Sequence, residues 1–336
     1  MNVNRRAALC TVATLAMATR TTTALAQAQE SWPNKPIRLV VPYAAGGTTD
    51  LLARTLANEL QRIFGQPINV DNVTGEGGSV GSAEVAKAAP DGYTFLMGTA
   101  GSHAINSAMV QKLAYDPIKD FTPVTMVAGV PSVVVMNNVA ADNYGIATIA
   151  DLVRVVKANP AKLTMASSGN GTSVHLAGEL FKATTNSFMV HIAHPNNKLA
   201  LAKLMNGEAD IMFDDLPSSL PHIRAGKLKA LAVTSAKRAT GLPQLQTIAE
   251  SGVPELKNFE ASSWFGLLAP AGTPADIVEY VQKATALSLI APRMKERLLW
   301  QGAELSGSTS AEFGAHLKNE LVKWAEIVRR SGARVD

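Results

Sequence analysis

Short apolar runs of strand length alternate with amphipathic segments of helical length from about residue 36 to the end of the chain. The first run spans 37–42, and the segment after it carries leucine and isoleucine at helical spacing from Leu51 to Ile63. Further runs of strand character lie at 68–70, 93–98, 133–136, 163–167, 189–192, 210–213, 228–233 and 264–268. This alternation is typical of sheets whose strands are mostly parallel and whose two faces are covered by helices. We therefore expect an α/β fold.

Two long apolar stretches, 121–135 and 259–270, are interrupted by proline and glycine and differ from the other runs. We interpret them as two crossover segments that join two domains and form the hinge between them. The first domain is then discontinuous, with residues 30–128 and 259–336, and the second domain spans 129–258. A cleft between such domains is lined by the loops at the carboxyl ends of the strands, where small ligands bind in open α/β sheets.

The composition excludes several classes of protein. Of the 336 residues, 47% are hydrophobic and 17% are charged, which is too apolar for a disordered chain and too poor in charge for a coiled coil. Three arginines in residues 1–26 supply most of the net charge of +4, and without them 28 basic residues face 27 acidic ones. A chain so nearly neutral lacks the basic surface that nucleic acid binding requires. We expect no nucleic acid partner.

Residues 1–26 have the features of a signal peptide. Arg5 and Arg6 precede a short apolar run, and an Ala-Leu-Ala cleavage signal ends at Ala26. The run has about eleven residues, whereas a membrane-spanning helix takes about 20. Cys10 lies before most of the apolar run, which argues against a lipid anchor. We expect cleavage near Ala26 and a mature protein in the periplasm, with export by either the general secretory or the twin-arginine route.

Two glycine-rich motifs are compatible with an enzyme. Residues 77–81 match G-x-S-x-G, the turn that carries the nucleophile of α/β hydrolases, but that turn must follow its strand directly and here 74–76 intervene. Residues 75–81 resemble a dinucleotide-binding loop, although G-x-G-x-x-G requires glycine where Val80 stands. A hydrolase or a nicotinamide-dependent enzyme is therefore the alternative. We favour a protein that is not an enzyme, without catalytic residues or cofactors.

The six histidines do not have the spacing of a metal site. His191 and His194 are three residues apart in a predicted strand, so their side chains point to opposite faces. No cysteine follows Cys10, and we expect no bound metal. His103 and His175 each follow a turn of small residues at the start of a predicted helix. Each of them either bonds to the local backbone or lies beside a ligand.

Four loops of glycine and other small residues directly precede predicted helices, at 44–49, 74–79, 99–102 and 167–172. Glycine lets the backbone approach a ligand closely, and the free N–H groups at a helix N-terminus attract an anion. Any one of these loops is equally well explained as an ordinary turn between a strand and a helix. Four of them across two predicted domains favour a clamp for a small anion, and such a clamp needs no cationic side chain.

The segment from Trp32 to Arg54 contains Trp-Pro-Asn-Lys-Pro-Ile and then Val-Val-Pro-Tyr-Ala-Ala-Gly-Gly-Thr-Thr-Asp. It resembles the extracytoplasmic solute receptors of tripartite tricarboxylate transporters, called Bug or TctC-type proteins. The likeness continues in order through 90–94, 115–123, 168–180, 214–219, 225–238 and 264–274. It therefore covers essentially the whole chain after the expected signal peptide.

The resemblance implies a two-domain periplasmic binding protein of type II, the Venus-flytrap kind, which closes on a small carboxylate. It implies delivery of that ligand to the permease subunits of a tripartite tricarboxylate transporter. A receptor that presents its bound state to a signalling partner would use the same cleft and is a further alternative. We expect an aliphatic dicarboxylate or tricarboxylate, or an aromatic carboxylate, as the ligand, and a monomeric protein.

The resemblance also implies where the ligand is held. In the family, the loop after the first strand and the matching loop of the second domain hold one carboxylate, largely through backbone N–H groups. These loops correspond to 43–50 and 167–172 here. Asp214 is expected either to accept a hydrogen bond in the cleft or to cap the helix from Pro217. The candidate ligand-binding residues are Tyr43, Ala44, Gly46, Gly47, Thr48, Asp50, Thr99, Ser102, His103, Ser168, Asn170, Gly171, Thr172, His175, His194, Asn196 and Asp214.

Two positions depart from the family pattern. Family members usually have His-Val-Pro-Tyr, then Lys or Arg, then Gly, whereas residues 191–196 here read His-Ile-Ala-His-Pro-Asn. The aromatic residue and the glycine turn are both replaced, so we expect His194, with Asn196 or Asn197, to contact the far end of the ligand. Glu76 stands where the family tends to have a small residue. Because a buried acid beside an anion would be costly, we expect Glu76 to face solvent.

Overall fold

The computed structural model describes residues 32–299 and 302–331. The expected signal peptide, 1–26, lies outside the described residues. The strands are β1 (Ile37–Val41), β2 (Ile68–Asn72), β3 (Thr94–Thr99), β4 (Phe121–Val130), β5 (Ser132–Asn137), β6 (Thr164–Ser167), β7 (Val190–Ala193), β8 (Ile211–Asp215), β9 (Leu228–Val233), β10 (Ser263–Pro270) and β11 (Glu304–Leu305). The α-helices are α1 (Thr48–Phe64), α2 (Ser79–Ala86), α3 (Asn106–Met109), α4 (Asn138–Asn143), α5 (Ile149–Ala158), α6 (Ser173–Thr185), α7 (Asn197–Met205), α8 (Leu216–Arg224), α9 (Ala275–Ile290), α10 (Pro292–Leu299) and α11 (Ser310–Ser331).

The strands form two sheets. The first sheet has the order β11-β4-β10-β3-β1-β2, and the second has the order β7-β6-β8-β5-β9. The α/β class with flanking helices is confirmed, but the expectation of mostly parallel strands is corrected. Strand β1 is parallel to β2 and β3, and β6 is parallel to β7 and β8. The remaining pairs, which all involve β4, β5 or β10, are antiparallel, so both sheets are mixed.

The path of the chain between the sheets explains this mixture. Strand β4 lies in the first sheet and β5 in the second, and Pro131 alone separates them. A strand that has just entered from the other sheet starts at the edge where the parallel strands end, so it runs opposite to them. Strand β5 is antiparallel to both of its neighbours for this reason, and so is β10, which follows β9. The expected domain limits, 30–128 with 259–336 and 129–258, stay a prediction.

Helix α11 packs against the first sheet through two tryptophans. Glu320 on α11 accepts hydrogen bonds from Nε1 of Trp264 on β10, at 3.0 Å, and from Nε1 of Trp324, at 2.8 Å. Both indole rings are buried, and the buried N–H groups thus have the acceptor that they require. None of the described helices is long and apolar enough to cross a membrane.

Candidate functional site

A cavity of about 1470 Å³ lies between loops of the two sheets. On the first-sheet side it is lined by the segments that follow β1 and β2 and by the end of β3. On the second-sheet side it is lined by the segments that follow β6 and β7 and by the end of β8. All six segments lie at carboxyl ends of strands, which is where open α/β sheets bind small ligands.

Tyr43 joins two segments of the first-sheet wall, the side of the cavity formed by the first sheet, through hydrogen bonds. Its hydroxyl donates to the carbonyl oxygen of Gly77 at 3.0 Å and lies 2.9 Å from Oγ1 of Thr99. Burial raises the pKa of Tyr43, so the ring stays neutral. The neighbouring Gly78 and Gly101 make room for this ring, because a Cβ at either position would come within 3.0 Å of the Tyr43 hydroxyl.

Helix α1 points its N-terminus at the cavity with no side chain to cap it. The residue before the helix is Gly47, which cannot supply a capping oxygen, and Thr48 starts the helix at the cavity wall. Of the other helices that begin here, α6 and α7 are capped: Thr172 accepts from the backbone N–H of His175, and Asn196 accepts from that of Leu199. Helices α2 and α8, which follow Gly78 and Asp215, have no side-chain cap either. An uncapped helix start offers N–H donors and a partial positive charge to an anion.

Asp50 hydrogen-bonds to the loop before α1 and does not line the cavity. Its carboxylate accepts from the backbone N–H of Gly46 at 3.0 Å, from Nε of Arg54 at 2.9 Å and from Nδ2 of Asn72 at 3.0 Å. Burial alone would raise the pKa of Asp50, but these hydrogen bonds hold it below its usual value. The negative charge near the helix start is therefore neutralised by Arg54.

The second-sheet loop at 168–172 is tied down by its own hydrogen bonds. Thr172 donates from its hydroxyl to the carbonyl oxygen of Gly169 at 2.8 Å, and the backbone N–H of Gly171 donates to Nδ1 of His175 at 3.4 Å. Ser168 and Asn170 line the cavity. The loop is thus held rigidly, which lowers the entropy lost when a ligand binds.

Behind this loop lies one group that could hold a metal ion among the described residues. The ligand atoms of His175, Glu179 and His191 lie within 4.8 Å of one another. Lys182 Nζ already contacts Glu179 Oε1 at 2.6 Å, and the two imidazole rings are stacked with centroids 4.1 Å apart. A cation would have to displace the lysine, and stacked rings do not aim their nitrogens at a common point. The group is better explained as support for Ser167, whose hydroxyl lies 2.6 Å from His191 Nε2.

The segment after β7, which departs from the family pattern, reaches the cavity. His194, Asn196 and Asn197 all line it. Asn196 uses its side-chain oxygen to cap α7, accepting from the N–H of Leu199 at 2.9 Å. In contrast, His194 Nε2 and Asn197 Oδ1 are buried and have no hydrogen-bond partner.

Asp214 and Asp215 end β8 and point in different directions, as successive residues of a strand do. Asp214 is fully buried, accepts from the Ser219 hydroxyl at 2.6 Å and does not line the cavity. Asp215 lines the cavity, and its Oδ1 has no partner. Burial raises the pKa of Asp214 to about 7, and burial together with the adjacent Asp214 raises that of Asp215 to about 8. Neither carboxylate caps α8 with its side chain.

The two walls touch across the cavity. Oγ1 of Thr48 lies 2.8 Å from Oγ of Ser218 on α8. A Cβ at Gly77 would lie 2.9 Å from the carbonyl oxygen of Asn170. The structure therefore shows the two sets of loops in contact.

Ten of the candidate residues line this cavity and seven do not. The lining residues are Tyr43, Ala44, Gly47, Thr48, Thr99, Ser168, Asn170, Thr172, His194 and Asn196. The others are Gly46, Asp50, Ser102, His103, Gly171, His175 and Asp214.

Ser102 and His103 show why some candidates lie behind the wall. Both are completely buried, and the Ser102 hydroxyl lies 2.9 Å from His103 Nδ1. The His103 ring packs edge-on against Phe121 with centroids 4.6 Å apart, and burial lowers its pKa to about 3. His103 is thus a neutral core residue bonded locally. It bonds to a neighbouring side chain and not to the backbone, whereas His175 accepts from the backbone N–H of Gly171.

Asp215 is one of several cavity residues that sequence reasoning missed, and the cationic Lys112, Lys198 and Arg329 are others. The Asp-Asp pair was visible, but the face to which each member points depends on the register of β8 against β5, where Ser132 lies opposite Asp215. Glu76 also lines the cavity and is exposed, as expected. Ser79, the candidate nucleophile of the hydrolase alternative, is buried at the start of α2, where its hydroxyl accepts from Asn106 at 2.9 Å. That position does not resemble an exposed nucleophile turn.

Comparison with known proteins places this geometry in a family. The family model described as tripartite tricarboxylate transporter family receptor matches residues 52–333. The R. palustris protein Rpa4515, solved with adipate, is 36% identical, with a TM-score of 0.85 over 90% of this chain and 100% of its own. The periplasmic binding protein BugD is 33% identical, with a TM-score of 0.83 over 90% of this chain and 99% of its own. MatC from Rhodopseudomonas palustris, solved with bound malate, is 30% identical, with a TM-score of 0.81 over 88% of this chain and 100% of its own. The fold is therefore that of two-domain periplasmic binding proteins.

Proposed function

The chain belongs to the tripartite tricarboxylate transporter receptor family, and we propose that it is a periplasmic receptor for a small organic carboxylate. The observation that carries the proposal is the uncapped N-terminus of α1 at the cavity, where Gly47 and Thr48 lie. A carboxylate there would accept hydrogen bonds from backbone N–H groups and would be stabilised by the helix dipole. Asp50 does not oppose it, because its charge is paired with Arg54.

The chemistry of the similar proteins supports a carboxylate ligand. Two of them were solved with adipate and with malate, both of which are aliphatic dicarboxylates. We propose an aliphatic dicarboxylate or tricarboxylate, or an aromatic carboxylate, held at one end by α1 and at the other by side chains of the second-sheet wall. The protein would bind and release this ligand unchanged.

The proposed cycle uses two domains with the limits 30–128 plus 259–336 and 129–258. Closure around the crossover segments would bring Thr48 to Ser218 and bury the ligand. The closed, monomeric receptor would then present its ligand to the permease subunits of a tripartite tricarboxylate transporter. Deletion of the gene is expected to abolish uptake of that ligand. If only a transcriptional response were lost, the protein would serve as a sensor.

The ligand class can be tested on the purified protein. Mass spectrometry of small molecules released on denaturation is expected to show a carboxylate. A ligand at about 100 times its dissociation constant adds about 2.7 kcal/mol to the free energy of unfolding, and a chain of this size gains about 2–4 °C in melting temperature per kcal/mol. A shift of several degrees with a carboxylate supports the proposal. A shift with an uncharged sugar or a cation, and with no carboxylate, contradicts it.

A further inference from the structure

Two stacked histidines lie directly behind the second-sheet loop and hold two of its backbone N–H groups. Nδ1 of His175 accepts from the N–H of Gly171 at 3.4 Å. Oγ of Ser167 accepts from the N–H of Gly169 at 3.2 Å and lies 2.6 Å from Nε2 of His191. His175 is only 5% exposed and does not line the cavity, so any effect that it has on a ligand passes through this loop.

The hydrogen bond from Gly171 fixes the protonation of the His175 ring. Because Nδ1 accepts, it carries no proton, and the neutral ring carries its proton on Nε2. That nitrogen lies 3.5 Å from Oε1 of Glu179, which Lys182 Nζ also contacts at 2.6 Å. Burial alone would raise the pKa of Glu179, but hydrogen bonds from His175 and Lys182 hold it below its usual value. A charged carboxylate therefore orients the His175 ring, and the stacked ring of His191, 4.1 Å away, packs against its face.

The same hydrogen bond determines which way the peptide group between Asn170 and Gly171 faces. This peptide is trans, so its N–H and its C=O point in opposite directions. The N–H of Gly171 points inward to His175, and the carbonyl oxygen of Asn170 therefore points outward. It faces the opposite wall, where a Cβ at Gly77 would lie 2.9 Å from it.

Rotation of this peptide group would reverse both ends. Gly171 has a φ of 75°, and glycine adopts left-handed and right-handed conformations about equally well, so the backbone itself does little to prevent the rotation. In the rotated form the carbonyl oxygen would face Nδ1 of His175, and two acceptors would then oppose each other. The imidazole is thus the group that selects the observed orientation.

We propose that His175 is a positioning residue for ligand binding and that its contribution is the acceptor atom Nδ1. The inference rests on the proposed carboxylate-receptor function. By holding the N–H of Gly171, His175 keeps the carbonyl of Asn170 turned toward Gly77 and keeps Ser168 at the cavity wall. A ligand then meets a loop that is already ordered. Without the acceptor, part of the binding free energy would be spent on ordering that loop.

Substitutions that move the acceptor by one carbon test this role. His175→Asn carries an amide oxygen on Cγ, the atom that bears Nδ1 in histidine, so it can accept from the N–H of Gly171. His175→Gln has the same amide one carbon further along the side chain, and His175→Leu has no acceptor. We expect the asparagine variant to bind within about threefold of the native affinity and the other two about 5-fold to 20-fold more weakly. A merely structural role would not distinguish asparagine from glutamine.

Two measurements on the full chain decide the outcome. Calorimetry gives the affinity of each variant for the carboxylate that the native protein binds most tightly among the four- to six-carbon dicarboxylates, citrate and benzoate. Nuclear magnetic resonance of the ligand-free protein gives the hydrogen-exchange rate of the Gly171 amide. We expect exchange to be about tenfold or more faster in His175→Gln and His175→Leu than in the native protein and His175→Asn.

The possible results separate the two proposals. Native affinity in His175→Gln and His175→Leu, or equal losses in the asparagine and glutamine variants, would overturn the role of His175 and leave the carboxylate receptor intact. Failure of the native protein to bind any of these carboxylates would overturn the proposed function itself. If His175→Leu does not fold, the comparison of His175→Asn with His175→Gln gives the same test.

Discussion

Thr48 Oγ1 and Ser218 Oγ lie 2.8 Å apart, and this contact joins the start of α1 on the first-sheet wall to α8 on the second-sheet side. The hydroxyl of Ser218 is not part of the cavity lining, so its removal affects closure without touching the ligand. We expect Ser218→Ala to lower the affinity for every ligand by a similar factor of about 2–10. This factor corresponds to the loss of one hydrogen bond worth about 0.5–1.5 kcal/mol. Calorimetry across several ligands measures the factor, and a change in their rank order would contradict this role.

Gly77→Ala is expected to prevent the two walls from meeting. The added Cβ would lie 2.9 Å from the carbonyl oxygen of Asn170, and a backbone oxygen cannot swing away as a flexible side chain can. Ligand affinity should fall at least tenfold, while circular dichroism shows a folded protein. The measurement is the ligand-induced shift in melting temperature.

Gly145→Ala is the control for this substitution. Gly145 has a φ of 60°, close to the 62° of Gly77, and a Cβ there would meet nothing within 4 Å. In both variants alanine in a left-handed backbone conformation lowers the free energy of unfolding by a similar amount, about 1 kcal/mol or more. The variants differ in the contact with the carbonyl oxygen of Asn170, which only Gly77→Ala makes. If Gly145→Ala loses ligand binding as completely as Gly77→Ala, backbone strain rather than blocked closure is responsible.

Gly47 tests whether α1 holds the carboxylate. A Cβ at this position would be in ordinary contact, 3.9 Å from Ala44 O and from Asn197 Cβ, so Gly47→Ala should bind ligand nearly as well as the native protein. The two further carbons of Gly47→Val would enter the space in front of the helix start and should abolish the thermal shift for every carboxylate. Retained binding in the valine variant would show that the ligand lies elsewhere in the cavity.

Much of this fold could be predicted from the sequence because apolar runs and glycine turns are local signals. The runs at 37–42 and 228–233 correspond to β1 and β9 almost residue for residue. Strand direction is not a local property, since β5 and β10 are as apolar as a parallel strand and are reversed by the path of the chain between the sheets. For that reason the mixed character of the sheets was not predictable.

The residues of the site divide in the same way into those that a local sequence signal indicates and those that it does not. The loops that bring Gly47 and Thr172 to the cavity were visible as small residues ahead of helices. The sequence did not show that Asp215 rather than Asp214 lines the cavity, because this depends on which face of β8 turns toward the cavity. His103 looked like a ligand residue, and only its packing against Phe121 shows it to be part of the core.

Gly266→Ala tests the packing of the first sheet under α11. A Cβ at Gly266 on β10 would lie 2.2 Å from Cζ of Phe313, whose ring is buried. Overpacking of this kind costs about 1–3 kcal/mol of unfolding free energy. Gly129→Ala on the adjacent strand β4 is the control, since its Cβ would be 3.6 Å from the nearest atom, the end of the Met126 side chain. Urea unfolding should show the larger loss in Gly266→Ala, and equal losses would contradict the packing argument.

Asp215→Asn is expected to change how stability depends on pH. Burial, reinforced by Asp214, raises the pKa of Asp215 from 3.8 to about 8 in the folded protein. Its proton is bound more tightly in the folded state, so the stabilisation is complete below about pH 4 and is lost as the pH rises towards 8. The Asp215→Asn variant has no such proton. Its free energy of unfolding should therefore rise relative to that of the native protein between about pH 4 and pH 8, by up to about 1.4 kcal/mol per pH unit.

The measurement is the difference in unfolding free energy between the native protein and Asp215→Asn from pH 4 to pH 8. Burial lowers the pKa of His191 to about 4, which makes the protein less stable as the pH falls below about 6.5, the opposite trend. That contribution is common to both proteins and cancels in the difference. Asp276→Asn, on the exposed surface of α9, controls for the loss of one acid. A difference that is flat with pH for Asp215→Asn, or that matches the Asp276→Asn control, would show that Asp215 is ionised in the folded protein at neutral pH.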